Sequence, residues 1–383
     1  MTAYTNAKIY NTGKKTFENG TLYVDKGVIC APGSADETVD CGGAYIIPGL
    51  IDVHTHGRCG MRWDEEAKNA DMALELARSY AVAGTTSVLG TFGTRMPENY
   101  IAAIDGITEA KQAQDKYPDG ANILGIHVEG RFLNAKRKGA HNVELLAPLY
   151  ADEMADYIDR AKNACKDIYF HITCAPEKED GEKFVKTSVS HGATVGIGHS
   201  DATYDECLDA LKWGACSFTH LYNAMSPLTH RAPGCVGAAM DTDAYAELIC
   251  DGHHINPAVI RTTFRIKSQD KLVLITDSSV ATGLAPGIYG GCDTRNGKVG
   301  LSLDGVTING SIIDMFTGLK NFMKFTGISI EEAIPYATIN PARMVGADKI
   351  VGSLEVGKYA DFIVLSEDKQ SIANVYVRGT KQK

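Results

Sequence analysis

Apolar segments of strand length recur eight times through the middle of the chain and alternate with amphipathic stretches of helix length, and this rhythm constrains the fold more than any other feature. The segments are GLIDVHTH (49–56), TTSVLGTF (85–92), ILGIHVEG (123–130), IYFHITCAPE (168–177), ATVGIGHS (193–200), CSFTHLYN (216–223), AELICDGHH (246–254) and KLVLITDSS (271–279). Strand-length runs separated by helices are the pattern of a parallel α/β fold. Between them lie helix candidates such as DMALELARSYAVAG and YDECLDALKWG, each closing on glycine as helix C-termini often do. Eight such units predict an α/β fold of the (β/α)8 TIM barrel type. A doubly wound sheet is the competing architecture, but no GxGxxG turn follows the first strand, and a count of eight suits closure.

The two ends of the chain read differently. Short β-like runs (AKIYN, TLYVDKGVIC) alternate with Gly and Asn turns at the start, and ADFIVLSEDKQSIANVYVRGT repeats the pattern at the finish. These flanks are expected to pair, so that residues 1–48 and 348–383 form a small β-domain around a barrel spanning 49–347. After the eighth segment, RNGKVGLSLDGVTING carries Asn-Gly and Asp-Gly turns and reads as a hairpin insertion, followed by helical segments. A length of 383 residues accommodates this plan. No apolar run approaches the roughly 20 residues that span a bilayer, and the start lacks the apolar core of a secretory signal, so a cytoplasmic protein without membrane partners is expected. The ten cysteines show no dense spacing or CxxC pair, as expected of reduced thiols. A formal charge of −9 argues against nucleic acid.

Barrel strands are buried on both faces, and barrel active sites lie at the C-terminal strand ends, so ionisable residues there need a reason. The first segment ends in His54 and His56, which share a face because strand side chains repeat every two residues. The third ends in Glu129, the fifth in His199, the sixth in His220 and the eighth in Asp277. One such residue means little, but six nitrogen or oxygen ligands around one rim predict a metal site. Imidazoles and carboxylates without thiolate suit zinc, iron, manganese or cobalt. Six ligands exceed one tetrahedral ion, so one or two divalent ions are expected, with Glu129 as the natural bridge. Asp277 is also placed to act as a general acid and base. His127, His171, His191, His230 and His253 are read as ordinary structural histidines.

HxH after the first strand, His after the fifth and sixth, and Asp after the eighth resemble the metal-dependent amidohydrolase superfamily, whose split β-domain and entry VGSLEVGKYADFIVL also match. More specifically, GIHVEGRFLNAKRKGAHN, VGIGHSDATYDE, THLYNAMSPLTHRAPG, ICDGHHI and TDSSVATG resemble the N-acetylglucosamine-6-phosphate deacetylase family, over nearly the whole chain. The resemblance implies hydrolysis of an N-acetylated amino sugar phosphate, with Glu129, His199 and His220 as core metal ligands and Asp277 as the acid/base. It implies that His54 and His56 create the two-metal variant. It further implies that His141 contacts the sugar, that Asn223 and Ala224 lie near the phosphate, and that Arg231 and His254 clamp it. Part of that clamp comes from a partner subunit in the family, so a homodimer is implied.

Three departures bear on the substrate. Glu-Gly-Arg stands where family members usually have Glu-Gly-Pro, LGTFGT replaces a Pro-containing stretch, and Ser278 and Ser279 replace an Ala-Met-like pair. Arg131 is therefore either a substrate contact at the barrel mouth or half of an ion pair, and the galactosamine epimer stays open as substrate. An amidohydrolase for cyclic amides or N-acylated amino acids is the enzymatic rival, disfavoured because ITCAPE offers no lysine after the fourth strand. A barrel kept as a non-catalytic scaffold is the other rival, and it would have lost ligands that are all present. The basic run at 136–138 reads as a solvated face that raises local anion concentration.

Overall fold

In the computed structural model, which describes residues 1–116 and 118–382, the eight expected runs form one sheet whose strands neighbour each other in chain order. They span Leu50–Thr55, Thr85–Phe92, Asn122–Glu129, Tyr169–Cys174, Thr194–Ile197, Ser217–Phe218, Tyr245–Ile249 and Leu272–Ile275. Every neighbouring pair is parallel. The first and eighth strands meet just past their ends, where the Asp277 N–H donates to the His54 carbonyl at 2.9 Å and the His56 N–H to the Ser278 carbonyl at 3.0 Å. The TIM barrel is thus the fold, and its seam runs through residues expected to hold metal.

The strands sort their side chains by period two. Ile126, Val128, Ile172, Leu248 and Leu274 join the large apolar cluster that contains Leu76, Ile104, Ile158, Val185 and Leu319 of the surrounding helices. The alternate residues of those strands, His127, Glu129, His171, Thr173 and Glu247, therefore share the opposite, inner face. They are fully or almost fully buried and bond to one another, as in His127 Nε2 with Thr173 Oγ1 at 2.8 Å and Thr173 Oγ1 with Thr219 Oγ1 at 2.8 Å. The glycine read as closing YDECLDALKWG does so, Gly214 ending the helix Tyr204–Trp213 at φ 118°, and Thr203 and Glu206 form a reciprocal cap at its start.

The strands are shorter at their C-terminal ends than the apolar runs suggest, and the sixth is reduced to Ser217–Phe218. The backbone leaves the extended region where the polar residues begin, with φ of 46° at His199, 31° at His220 and 47° at Asp277. The expected hairpin insertion is present as an irregular antiparallel arm, with Asp293 bridged to Leu301 and Leu301 to Ile308.

Strands from both ends of the chain make a second sheet. Tyr45–Pro48 runs parallel to Thr2–Asn11 and antiparallel to Phe362–Leu365, so the two flanks are stitched together edge to edge. Its apolar layer includes Tyr4, Leu22, Ile46, Phe362 and Val364. Among the described residues no helix is long and apolar enough to cross a membrane.

Candidate metal centre

Four strand-end histidines converge on one carboxylate, that of Glu129. Glu129 Oε1 lies 2.7 Å from His220 Nε2 and 3.1 Å from His199 Nε2, while its Oε2 lies 3.0 Å from His56 Nε2 and 3.5 Å from His54 Nε2. Asp277 Oδ1 closes the ring at 3.3 Å from His56 and 3.6 Å from His54. The parallel register brings these ends together, and the left-handed turns at His199, His220 and Asp277 aim the side chains across the mouth. Such conformations cost roughly 1–3 kcal/mol each and persist only where the surrounding structure fixes them. Here each is tied down: His199 Nδ1 bonds the Arg137 carbonyl at 2.8 Å, the His220 N–H donates to Glu247 Oε2 at 3.1 Å, and the Ser311 N–H donates to the Asp277 carbonyl at 2.8 Å.

The donor set fits a cation. His54 Nε2 is buried without a hydrogen-bond partner among the described residues while facing two carboxylate oxygens, and His199 and His220 point their Nε2 atoms at each other from 3.0 Å. Two carboxylates withdrawn from water need positive charge beside them. Burial lowers the pKa of His56, but hydrogen bonds to Asp277 and Glu129 outweigh it and raise the pKa to about 9. Burial pushes Asp277 upward, yet the His54 charge and the His56 hydrogen bond hold it down at about 2. Burial drives His199 the other way, to about 4, which leaves a neutral imidazole of the kind metals bind. Two tight donor groups stand out, His54 with His56 and Asp277, and Glu129 with His141 and His199.

The centre forms the floor of a cavity of about 790 Å³, within the size range of small-ligand sites. His141, Asn223, Ala224 and His254 line it, as do Lys136 and Arg137 of the basic run, whereas Lys138 is exposed outside the wall. A family model described as the amidohydrolase family matches residues 45–381.

The chain belongs to the amidohydrolase family.

Amidohydrolases are metal-dependent hydrolases, and this one has full-length relatives. It is 34% identical over 378 residues to the N-acetylglucosamine-6-phosphate deacetylase of Vibrio furnissii, covering 96% of this chain and 92% of the relative. It is 32% identical over 385 residues to the N-acetylgalactosamine-6-phosphate deacetylase of Escherichia coli O157:H7, covering 99% of both. The crystal structure of N-acetylglucosamine-6-phosphate deacetylase from Pasteurella multocida superposes with a TM-score of 0.88 at 31% identity, covering 99% of this chain and 98% of that one.

Not every residue singled out from the sequence reaches the amidohydrolase cavity. Arg231 is exposed on the loop before the helix Gly234–Asp241 and does not line it. Arg131, two residues past Glu129, turns away at φ 61° and forms an ion pair with Glu153, Nε to Oε1 at 3.1 Å, with its side chain 10% exposed. The geometry is that of a part-buried ion pair, and Arg131 does not line the cavity. His141 lines the cavity and also reaches the centre: its Nε2 lies 3.5 Å from Glu129 Oε2, and its Nδ1 bonds Thr94 Oγ1 at 2.7 Å.

Other contributors escaped the sequence reading. The hairpin arm supplies Thr307, Ile308 and Asn309 to the wall, and Asp64 and Arg95 form a pair at the rim with 3.3 Å between Arg95 Nε and Asp64 Oδ2. Nothing in their sequence context marks them. Glu247 is different: it is wholly buried in the seventh strand, and its Oε2 accepts from His54 Nδ1 and from the His220 N–H, both at 3.1 Å. A carboxylate inside the apolar run AELIC was a readable signal.

Proposed function

We propose that this amidohydrolase removes the acetyl group from N-acetylglucosamine 6-phosphate, giving glucosamine 6-phosphate and acetate. The observation that carries the reading is the convergence of His54, His56, Glu129, His199, His220 and Asp277 at the floor of a sugar-sized cavity in a chain whose full-length relatives carry that activity in their names. Glu129, His199 and His220 would hold one divalent ion, and His54 and His56 a second shared through Glu129. Zinc, iron, manganese and cobalt all suit these donors. When bound, such ions supply Lewis acidity at neutral pH.

The chain's own residues do the rest. Asp277, held ionised, accepts a proton from the attacking water as its oxygen bonds to the acetyl carbon. The same carboxyl then returns the proton to the amine nitrogen as the carbon–nitrogen bond breaks. His141, oriented by Thr94, faces the sugar and acetyl groups from the cavity wall. Asn223 and Ala224 border the phosphate with His254, whose Nδ1 is tied to Asp251 Oδ2 at 2.6 Å. Arg231, exposed in one chain, reaches the phosphate of a neighbouring subunit, which makes the enzyme a homodimer. A planar guanidinium suits phosphate oxygens in a chain whose net charge is negative. The enzyme would serve amino sugar catabolism in the cytoplasm.

The galactosamine epimer is a second reading, favoured by the Escherichia coli relative at almost the same identity. Acetate release from the N-acetyl 6-phosphates of glucosamine, galactosamine and mannosamine, with metal analysis of the same sample, separates the two. A best kcat/KM on the glucosamine compound is expected, and no turnover of any hexosamine by metal-loaded protein would sink both. Glu129→Gln should lose both ions, whereas His54→Ala should empty mainly one position.

A further inference from the structure

Glu247 stands beneath the metal centre and touches it from two sides. Its Oε2 takes the Nδ1 side of the His54 ring and the backbone N–H of His220, each at 3.1 Å, so one carboxylate oxygen ties the first barrel strand to the turn after the sixth. A carboxylate accepts and does not donate, so the proton of the His54 ring must sit on Nδ1. That leaves Nε2, on the side of Glu129 and Asp277 at 3.5 and 3.6 Å, as the nitrogen free to take a metal ion. A carboxylate that fixes the tautomer of a ligating imidazole is a general device of metal sites.

The other oxygen is poorly satisfied. Oε1 of Glu247 has no hydrogen-bond partner among the described residues and lies 3.7 Å from His171 Nε2, itself without one. Ser217 Oγ is likewise without a partner, and it and His171 Nε2 lie 2.9 and 3.2 Å from where a Cβ on Gly196 would be. A buried carboxylate with one oxygen poorly satisfied is destabilising by itself. Its retention needs a compensating cation close by.

We infer that Glu247 is a positioning residue for the metal centre: by holding His54 in the Nδ1–H tautomer and anchoring the His220 turn, it creates the ion position defined by His54 and His56. The inference rests on the metal reading above and concerns a residue that touches neither the ions nor the substrate. Removing it should weaken that ion by 10–100-fold, the usual effect of losing such a partner, and leave the Glu129, His199 and His220 position near its normal affinity.

The test is zinc titration of full-length protein stripped with a chelator, for the wild type, Glu247→Gln and Glu247→Leu. Two ions per wild-type chain are expected, with one of them 10–100-fold weaker in the Leu variant and an intermediate loss in the Gln variant, whose amide oxygen can still accept both N–H groups. Leu and wild type binding both ions alike, or Leu weakening both ions equally, would overturn the proposal. A wild type that takes up one ion also overturns it while leaving the metal centre intact; a wild type that takes up none overturns the metal reading itself. Should the Leu variant fail to fold, imidazole nitrogen NMR of the metal-free wild type decides, with His54 assigned by its loss in His54→Ala. A proton on Nδ1 supports the inference and an Nδ1 without one refutes it.

Discussion

Left-handed backbone at non-glycine residues is concentrated in two regions of this molecule, with Cys59 and Asp180 outside them, and it does different work in each. In the terminal sheet it falls at Lys15, Lys26, Lys369 and Arg378, at turns between strands, and at Asn6, where the strand Thr2–Asn11 shifts register. At the barrel rim it falls at Arg131, His199, His220, Tyr222, Ala224 and Asp277, where the chain leaves a parallel strand. The turns follow from local geometry, since tight hairpins need positive φ and any tolerant residue serves. The turns at His199, His220 and Asp277 instead point side chains across the barrel mouth, and hydrogen bonds from distant strands hold them there. Strain in the sheet shapes the chain, whereas strain at the rim shapes the chemistry. Substitutions in the two regions should therefore separate stability from activity.

The sharpest break in that comparison is Asp277→Asn. Asparagine tolerates left-handed backbone as well as aspartate does, so the turn at φ 47° and the bonds from Asp277 N–H and to its carbonyl should survive. What is lost is a group that can take and return a proton. The variant should melt like the wild type but lose about 10²–10⁴-fold in kcat. Turnover at the wild-type rate would move the acid/base role to another residue.

Phe362→Ala is the opposite test. Phe362 is fully buried in the terminal sheet, stacked on Tyr376 with centroids 4.4 Å apart and edge-on to Tyr4 at 5.0 Å. Its truncation should destabilise the protein by about 3–5 kcal/mol in denaturant unfolding. The folded fraction should keep its kcat/KM, and a large kinetic loss would show that the sheet is coupled to the rim after all.

How far the sequence was legible follows the same division. Eight apolar runs announced the barrel because parallel strands buried on both faces need continuous apolar sequence, and the histidines and acids at their ends announced the centre because charge there demands a partner. The ends of those runs misled in detail: CSFTHLYN reads as eight residues of strand, yet only Ser217–Phe218 pair, since pattern alone does not reveal a left-handed turn at His220. Glu247 was visible as a charge within an apolar strand but went unread. Asp64, Arg95 and the hairpin residues were invisible, because their places depend on how loops close over the mouth. Arg131 was noticed, but a side chain after a strand end points in or out according to the turn, and its turn carries it to Glu153.

Arg131→Ala sharpens the comparison from within the rim, because it alters a left-handed rim residue whose side chain leaves the site. Truncation strands Glu153, 22% exposed and still bonded to the Tyr157 hydroxyl at 2.8 Å, so a loss of about 1–3 kcal/mol in stability is expected, less than for a fully buried pair. Because the guanidinium does not line the cavity, kcat/KM should change less than about tenfold, that is by under about 1.4 kcal/mol of barrier. A larger kinetic loss at unchanged melting temperature would restore the substrate contact.

The smallest effect belongs to the sheet. Lys26 and Gly27 link the strands Thr16–Asp25 and Val28–Ile29 with φ of 48° and 80°, the signature of a two-residue turn with both positions left-handed. Asparagine before glycine is the favoured pair for such a turn, and the lysine side chain is exposed. Lys26→Asn should therefore relieve strain without removing a contact, raising stability by about 0.5 kcal/mol and the melting temperature by roughly a degree, given how little a small gain moves Tm in a large protein. Kinetics should not change. A drop in stability would mean that Lys26 is held by something other than the turn, and that strain in the sheet, like that at the rim, has been placed there by its surroundings.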